Sequence, residues 1–257
     1  MRVSVLQYVF AVPLCLLVAL PVSAADSGAP GAVTSDAPVT SIIPADGPVQ
    51  LTFWGGFTAT DNFRGGYTGA IVPLNDDLMF DGPLFRLDFL AGSYDSSSVA
   101  FGETEVDVVN GDLMLGYRTS LGSGWLSGYV GPAFQMNNNP DPTAAVRGSE
   151  WGVKGLIEYH TSLTETFGFS GFATYSSPFS TAFILGKLSL RISNSVWIGP
   201  EVSAFWIDSY SDRRIGAFIA HDTRFGGVGL SVGYVSPEDS DNDEGVYLNV
   251  NFGVGLH

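Results

Sequence analysis

Residues 147–160, RGSEWGVKGLIEYH, set Trp151, Val153, Gly155, Ile157 and Tyr159 on one parity and Glu150, Gly152, Lys154, Leu156, Glu158 and His160 on the other. A β-strand turns successive side chains to opposite faces, so as a strand this segment has one aromatic and aliphatic face and one face with four titratable groups. A helix would scatter the same charges around its circumference. The alternation therefore fixes a sheet, and it leaves open what each face meets.

The pattern recurs from Pro48 onward as about twelve runs bounded by turn-forming clusters, near 49–58, 63–73, 84–94, 107–118, 125–136, 150–160, 167–176, 182–192, 196–206, 213–221, 227–235 and 246–256. In the last run Val246, Leu248, Val250, Phe252, Val254 and Leu256 alternate with Tyr247, Asn249, Asn251, Gly253 and Gly255. The 210 residues from 48 to 257 give about 17.5 per strand, enough for a membrane-crossing strand of about 9–11 residues and its connection. No stretch after the first 25 residues has the roughly 20 uncharged apolar residues that a transmembrane helix needs. Only 14% of the chain is charged, against about 25% in ordinary soluble domains. Apolarity without any long apolar run is what results when alternate residues meet lipid. The fold expected is an antiparallel transmembrane β-barrel over 48–257. No helical segment is expected within it, and bulges are expected at Pro132 and Pro200, each of which removes a ladder donor from inside a strand.

An even strand number brings both ends of the sheet to one side. With the termini in the periplasm, connections near 59–62, 95–106, 137–149, 177–181, 207–212 and 236–245 face outward, and the two longest in the chain, 95–106 and 137–149, are among these. The first 24 residues read as a signal peptide, with Arg2, an apolar run and small residues through Ala24 and Ala25. Residues 25–47, rich in Ala, Pro, Ser, Asp and Gly, read as a flexible periplasmic tail. Cys15, the only cysteine, falls in the signal segment, so the exported chain has no thiol chemistry. Basic residues number 11 and acidic ones 26, which excludes nucleic acid as a partner, since a duplex demands a basic face.

The charged parity collects Arg86, Asp88, Asp112, Arg118, Lys154, Glu158, Lys187, Arg191, Glu201 and Arg214. A soluble sandwich or lipocalin-like barrel would have to turn them all to solvent, because burying them costs several kcal/mol per ion. In a membrane barrel they face a polar lumen, and both signs recur, so the expected arrangement is a paired network that shuts the pore. Lys154 and Glu158 are expected to pair chiefly with Lys187, Arg191, Glu201 and Arg118. On the opposite parity Trp151 and Tyr159 stand about 20 Å apart along the membrane normal, matching two interfacial girdles, with Trp125, Tyr117, Phe167 and Tyr175 in the same role.

Arg147-Gly148-Ser149-Glu150-Trp151-Gly152-Val153-Lys154-Gly155, the Gly69-Ala70-Ile71-Val72 to Asp81-Gly82 region, Gly199-Pro200-Glu201 and Arg214-Ile215-Gly216-Ala217-Phe218 make most of 49–257 resemble the bacterial cellulose-biosynthesis protein BcsS family. The resemblance implies an outer-membrane component of cellulose production and export. Its implied partners are outer-membrane lipid, cellulose synthase or export components, and the glucan itself. It carries over no catalytic or ligand residues.

Other chemistries are weaker. His160, His221 and His257 form no zinc-spaced set, no Gly-x-Ser-x-Gly elbow occurs, and only Ser162 near His160 suggests a lipid-modifying enzyme. Asp239, Asp241 and Asp243 alternate as in a calcium loop, but Glu244 and Val250 stand where the EF-hand pattern requires Gly and Glu. Trp206, Tyr210 and Phe179, near outer loops, are candidates for stacking on sugar. No catalytic residue, metal or cofactor is assigned. The function expected is a non-enzymatic barrel accessory to cellulose biosynthesis and export; the alternatives are a porin-like channel for small solutes and, behind it, a lipid-modifying barrel enzyme.

Overall fold

The computed structural model describes residues 48–98, 102–208, 210–223, 226–238 and 244–256. The expected signal and tail segments, His257, and Asp239, Asp241 and Asp243 lie outside the described residues. Twelve antiparallel strands close into one barrel: β1 Leu51–Thr60, β2 Phe63–Pro73, β3 Gly82–Ser98, β4 Gly102–Leu121, β5 Gly124–Asn137, β6 Gly148–Ser162, β7 Phe167–Ser176, β8 Thr181–Arg191, β9 Val196–Ile207, β10 Tyr210–Thr223, β11 Gly226–Pro237 and β12 Gly245–Leu256. Every strand pairs with its sequence neighbours, and β1 against β12, from Leu51↔Leu256 to Thr60↔Tyr247, completes the ring. Closure leaves no edge, so the backbone groups of every strand find partners inside the sheet.

The period of two sorts the side chains without a break. Phe53, Phe57, Leu87, Phe89, Leu113, Leu115, Val130, Val153, Ile157, Val202, Ile215, Val232, Val250 and Phe252 all point outward and are exposed. An outward apolar belt around most of the ring is untenable in water and suits a hydrocarbon surround.

The structure departs from the sequence reading in three places. The outer connection expected over 95–106 is instead a hairpin extension, since β3 and β4 stay paired as far as Ser98↔Gly102. Asp95, Glu103, Glu105 and Asp107 on this stretch carry no apolar alternation, so the lipid pattern ends while the ladder continues. A 3-10 turn, Pro178–Ser180, interrupts the otherwise all-strand series between β7 and β8.

The third departure is at the prolines, where no bulge forms. On both sides of Pro132 the β4–β5 register is unchanged, from Asp112↔Ala133 to Leu115↔Val130, with the two intervening pairs missing. Pro200 does the same between Lys187↔Glu201 and Leu190↔Ile198. Each proline follows a glycine, and the glycine explains the outcome. A Cβ on Gly131 would lie 2.0 Å from the Leu113 carbonyl oxygen, and one on Gly199 1.7 Å from that of Leu188. With no side chain to hold the strands apart, the glycine Cα–H closes on the carbonyl that proline cannot serve, and the register survives.

Candidate functional site

The inward parity is not simply polar. Trp54, Phe63, Tyr67, Ile71, Leu84, Leu90, Met114, Leu156, Phe172, Phe183, Leu185 and Phe205 are buried inside the barrel together with Arg86, Asp88, Asp112, Arg118, Lys154, Glu158, Glu201 and Arg214. The lumen is a packed core threaded by ions. The sequence reading expected a polar lumen, because it tracked the charges on this parity and passed over the aromatic and aliphatic residues interleaved with them.

The ions lie in four groups. At the centre, Arg86 on β3 donates through Nε to Asp88 at 2.7 Å and pairs with Glu158 on β6. Its guanidinium also lies 4.8 Å from the Trp54 ring centre and 5.3 Å from that of Tyr129. The Tyr129 hydroxyl donates to the second Glu158 oxygen at 3.3 Å. Beside this group Lys154 pairs with Asp112, which stands directly opposite Asp88 across the β3–β4 ladder. On the far wall Glu201 accepts from Lys187 Nζ at 2.9 Å, from the Tyr247 hydroxyl at 2.6 Å and from Ser231 Oγ at 2.9 Å. Nearer the end opposite the termini, Arg214 makes a two-pronged contact with Asp212 at 2.8 and 2.7 Å.

Such pairs are tolerable because each charge is matched by an opposite one, although Arg86 Nη2 and Asp88 Oδ1 are buried without a hydrogen-bond partner among the described residues. Local sequence sets them up. Arg86 and Asp88, like Asp212 and Arg214, stand two residues apart on a strand and so share a face. Trp54 can lie flat under Arg86 because Gly69 faces it; a Cβ there would come within 2.2 Å of the indole.

Several expected partnerships are different. Lys154 and Glu158 find Asp112 and Arg86, not Lys187, Arg191, Glu201 or Arg118, because a partner on the nearer wall can be reached without spanning the packed lumen. Arg191 is exposed at the mouth on the terminus side and donates to the carbonyls of Ser193 and Asn194, at 3.3 and 2.8 Å. Arg118 meets no carboxylate; it donates to Ser127 Oγ at 3.1 Å and to the Leu78 carbonyl at 2.9 Å, with its guanidinium 4.0 Å from the Trp125 ring centre. Trp125 consequently belongs to the lumen and not to a girdle, since the Trp125↔His160 pairing puts it on the inward parity. The other girdle candidates lie outward: Trp151 is 77% exposed, Tyr117, Phe167 and Tyr175 are exposed, and Tyr159 packs on Phe169. Phe134, 4.8 Å from Trp151 between ring centres, joins that end of the belt.

The structure adds Asp212, Tyr129, Tyr247, Ser127 and Ser231 to the ion groups. For Asp212 the signal was present, an acid two residues from Arg214 like the Arg86–Asp88 pair. The hydroxyls gave none, because parity shows which face a Tyr or Ser occupies but not which charge it reaches.

Both ends of the packed lumen are covered. On the terminus side Leu78 is buried, its N–H donating to the Val49 carbonyl at 2.9 Å. On the other side Phe179 of the 178–180 turn, Tyr210, Ile207 and Val146 are buried. Phe179 and Tyr210 are therefore part of a roof and not exposed stacking surfaces, and Trp206 lies on the outward parity. Along β9–β12 the inward residues Ser203, Phe218, Gly229 and Asn251 remain half-buried, so the packing is tightest on the β2–β6 wall.

The other chemistry is thin. His160 stacks on Trp125 at 5.8 Å and its Nδ1 has no partner, so no Ser162–His160 pair forms through that nitrogen. Among the described residues no group of His, Cys, Asp and Glu has the arrangement to hold a metal ion.

The model of the family described as cellulose biosynthesis protein BcsS matches residues 51–255. Among solved structures the barrel is similar to the COG4313 outer membrane channel from Pseudomonas putida F1, at 14% identity over 86% of this chain and 99% of that one, with a TM-score of 0.56. It is also similar to LpxR from Salmonella typhimurium, at 11% identity over 80% and 100% of the two chains and a TM-score of 0.53. A third similar structure is the KdgM porin in complex with disordered oligogalacturonate, at 11% identity over 80% and 99%, with a TM-score of 0.50. These likenesses are of fold, and the fold is that of outer-membrane barrels. The comparison with curated proteins finds no match.

Proposed function

The chain belongs to the cellulose biosynthesis protein BcsS family, and from that premise we propose that it is a closed outer-membrane barrel, termini in the periplasm, that assists cellulose production and export without covalent chemistry of its own. One observation carries the reading: Arg86 is 0% and Glu158 2% exposed at the centre of a twelve-stranded ring. A ring of that size lies between barrels that side chains fill and those that enclose an aqueous pore. A passage wide enough for water would expose the groups lining it, and a glucan chain needs far more room. The polymer on this reading crosses elsewhere, and the barrel acts beside the route as a scaffold for synthase or export components or for the glucan.

The test is a clean deletion, complemented by the wild-type gene and scored for extracellular cellulose and for proteins co-purifying from detergent-solubilised outer membranes. Reduced or mislocalised cellulose, restored by the gene, is the expected result. Unchanged cellulose in the deletion strain would remove the reading.

A second reading, a channel for small solutes, is favoured by the half-buried β9–β12 wall, where Ser203, Gly229 and Asn251 leave the lumen least filled. It requires that side of the lumen to conduct.

A further inference from the structure

At the end of the lumen opposite the termini, the β4–β5 wall carries three amides that the ion groups do not use. Asn110 faces Gln135 across the ladder, and Asn137, two residues beyond Gln135, faces Val108. Gln135 is 3% and Asn137 1% exposed. Among the described residues, neither Asn137 Nδ2 nor Asn137 Oδ1 has a hydrogen-bond partner, and Gln135 Nε2 and Asn110 Oδ1 also have none. Gln135 is held by its other end, Oε1 sharing the single Thr181 Oγ1 proton with the Pro178 carbonyl, at 3.2 and 3.1 Å.

A buried amide with neither atom paired, as at Asn137, is costly, and the unpaired atoms of Gln135 and Asn110 beside it point to something that pairs with the patch. The unpaired atoms are two donors and two acceptors, and none is charged. A cation or an anion would be matched by one kind only. Neighbouring hydroxyl groups, each able to donate and accept, match both. Gln135 and Asn137 are spaced about 6.6 Å apart along one face, on the scale of a sugar ring.

The patch has a stopper. The Pro178–Ser180 turn sits over it, tied down by Thr181 Oγ1 donating to the Pro178 carbonyl at 3.1 Å and by the Phe179 N–H donating to the Glu150 carboxylate at 3.0 Å. Phe179 and Ser180 both take positive φ, 47° and 49°, a conformation unfavourable for residues with a Cβ, while the Phe179 ring is buried among the roof residues. Strained turns of this kind persist where the surroundings hold them, and they cluster at ligand clamps and switch regions.

We propose that Asn110, Gln135 and Asn137, under the Phe179 turn, form a subsite for pyranose hydroxyls, and that its ligand is a β-linked glucan whose end enters when the turn lifts. The proposal rests on the reading of the barrel as a partner of cellulose production, which selects a glucan over the other local source of sugar hydroxyls, the core oligosaccharide of lipopolysaccharide.

The experiment uses the full mature chain in detergent micelles, with cellohexaose, maltohexaose and delipidated core oligosaccharide as probes in calorimetry. Cellohexaose is expected to bind, more tightly than either of the others. Asn137→Leu and Gln135→Leu, checked for folding by heat-dependent gel migration, should each weaken binding at least tenfold, and Phe179→Ala should speed association. Should the Leu variants not fold, the wild-type chain still decides: cellohexaose must slow amide hydrogen exchange in residues 135–139 and 177–181. Absence of cellohexaose binding, preference for the core oligosaccharide, protection elsewhere, or a folded Asn137→Leu protein with full affinity would each overturn the proposal. Failure here is separable from failure of the parent reading. A deletion strain that loses cellulose and regains it with Asn137→Leu leaves the accessory role standing without the subsite.

Discussion

Arg86 on β3 and Glu158 on β6 form an ion pair inside the lumen, although β4 and β5 separate their strands along the wall. A contact that skips two strands is a chord through the interior, not a rung of the ladder. Tyr247 on β12 reaches Glu201 on β9 in the same manner, at 2.6 Å and again across two intervening strands. These contacts tie strands a quarter of the ring apart to one another through the interior.

Glu158→Ala is expected to destabilise the folded barrel by about 3–5 kcal/mol, because it leaves part of a buried guanidinium unpaired. Glu158→Gln, which keeps the shape and an acceptor for Arg86, should cost less. Urea unfolding in lipid vesicles gives both values; equal effects would mean that the charge of Glu158 is not what Arg86 requires.

Val130 is outward, mid-strand and 59% exposed. Val130→Arg at the lipid midplane should cost about 2–4 kcal/mol in the same titration, whereas Arg213→Ala, at an exposed charge near the strand end, should cost little. Equal tolerance at the two positions would contradict the assignment of the outward face to lipid.

Gly131→Ala and Gly199→Ala should each impair folding, since the added Cβ has a carbonyl oxygen 2.0 and 1.7 Å away. The yield of heat-modifiable, protease-resistant barrel on refolding into micelles measures the effect. Wild-type yields from both variants would show that these strands can part at the Gly-Pro steps without loss.

Gly69→Leu should displace Trp54 from beneath Arg86. Trp54 is 1% exposed, so its emission is expected to shift to longer wavelength as water reaches the ring, a change read by comparing the variant with and without Trp54→Phe. An unshifted spectrum would mean that the indole is held by contacts other than the Gly69 gap.

Much of the barrel was legible because lipid imposes a period of two on every strand. Phe63–Pro73 and Phe167–Ser176 stand where the alternation put them, and the twelve strands are those the turn clusters separate. The hairpin to Ser98↔Gly102 was not legible, since outside the hydrocarbon nothing penalises a charged residue on the outward face. Parity also placed Arg86, Glu158 and Lys154 in the lumen, but not who meets whom. Pairing across a lumen depends on strand tilt and side-chain reach, neither of which is local. Arg191 shows the limit: its parity matches that of Lys187, yet four residues nearer the mouth it meets turn carbonyls and solvent.

The central claim is that the chorded lumen is shut, and single-channel conductance in planar bilayers tests it most directly. The wild-type barrel should show no stable conducting state, and the Arg86→Ala, Glu158→Ala double variant, confirmed as folded by heat-dependent migration, should show discrete openings. A large steady conductance from the wild-type barrel would contradict the claim, as would a folded double variant as silent as the wild type.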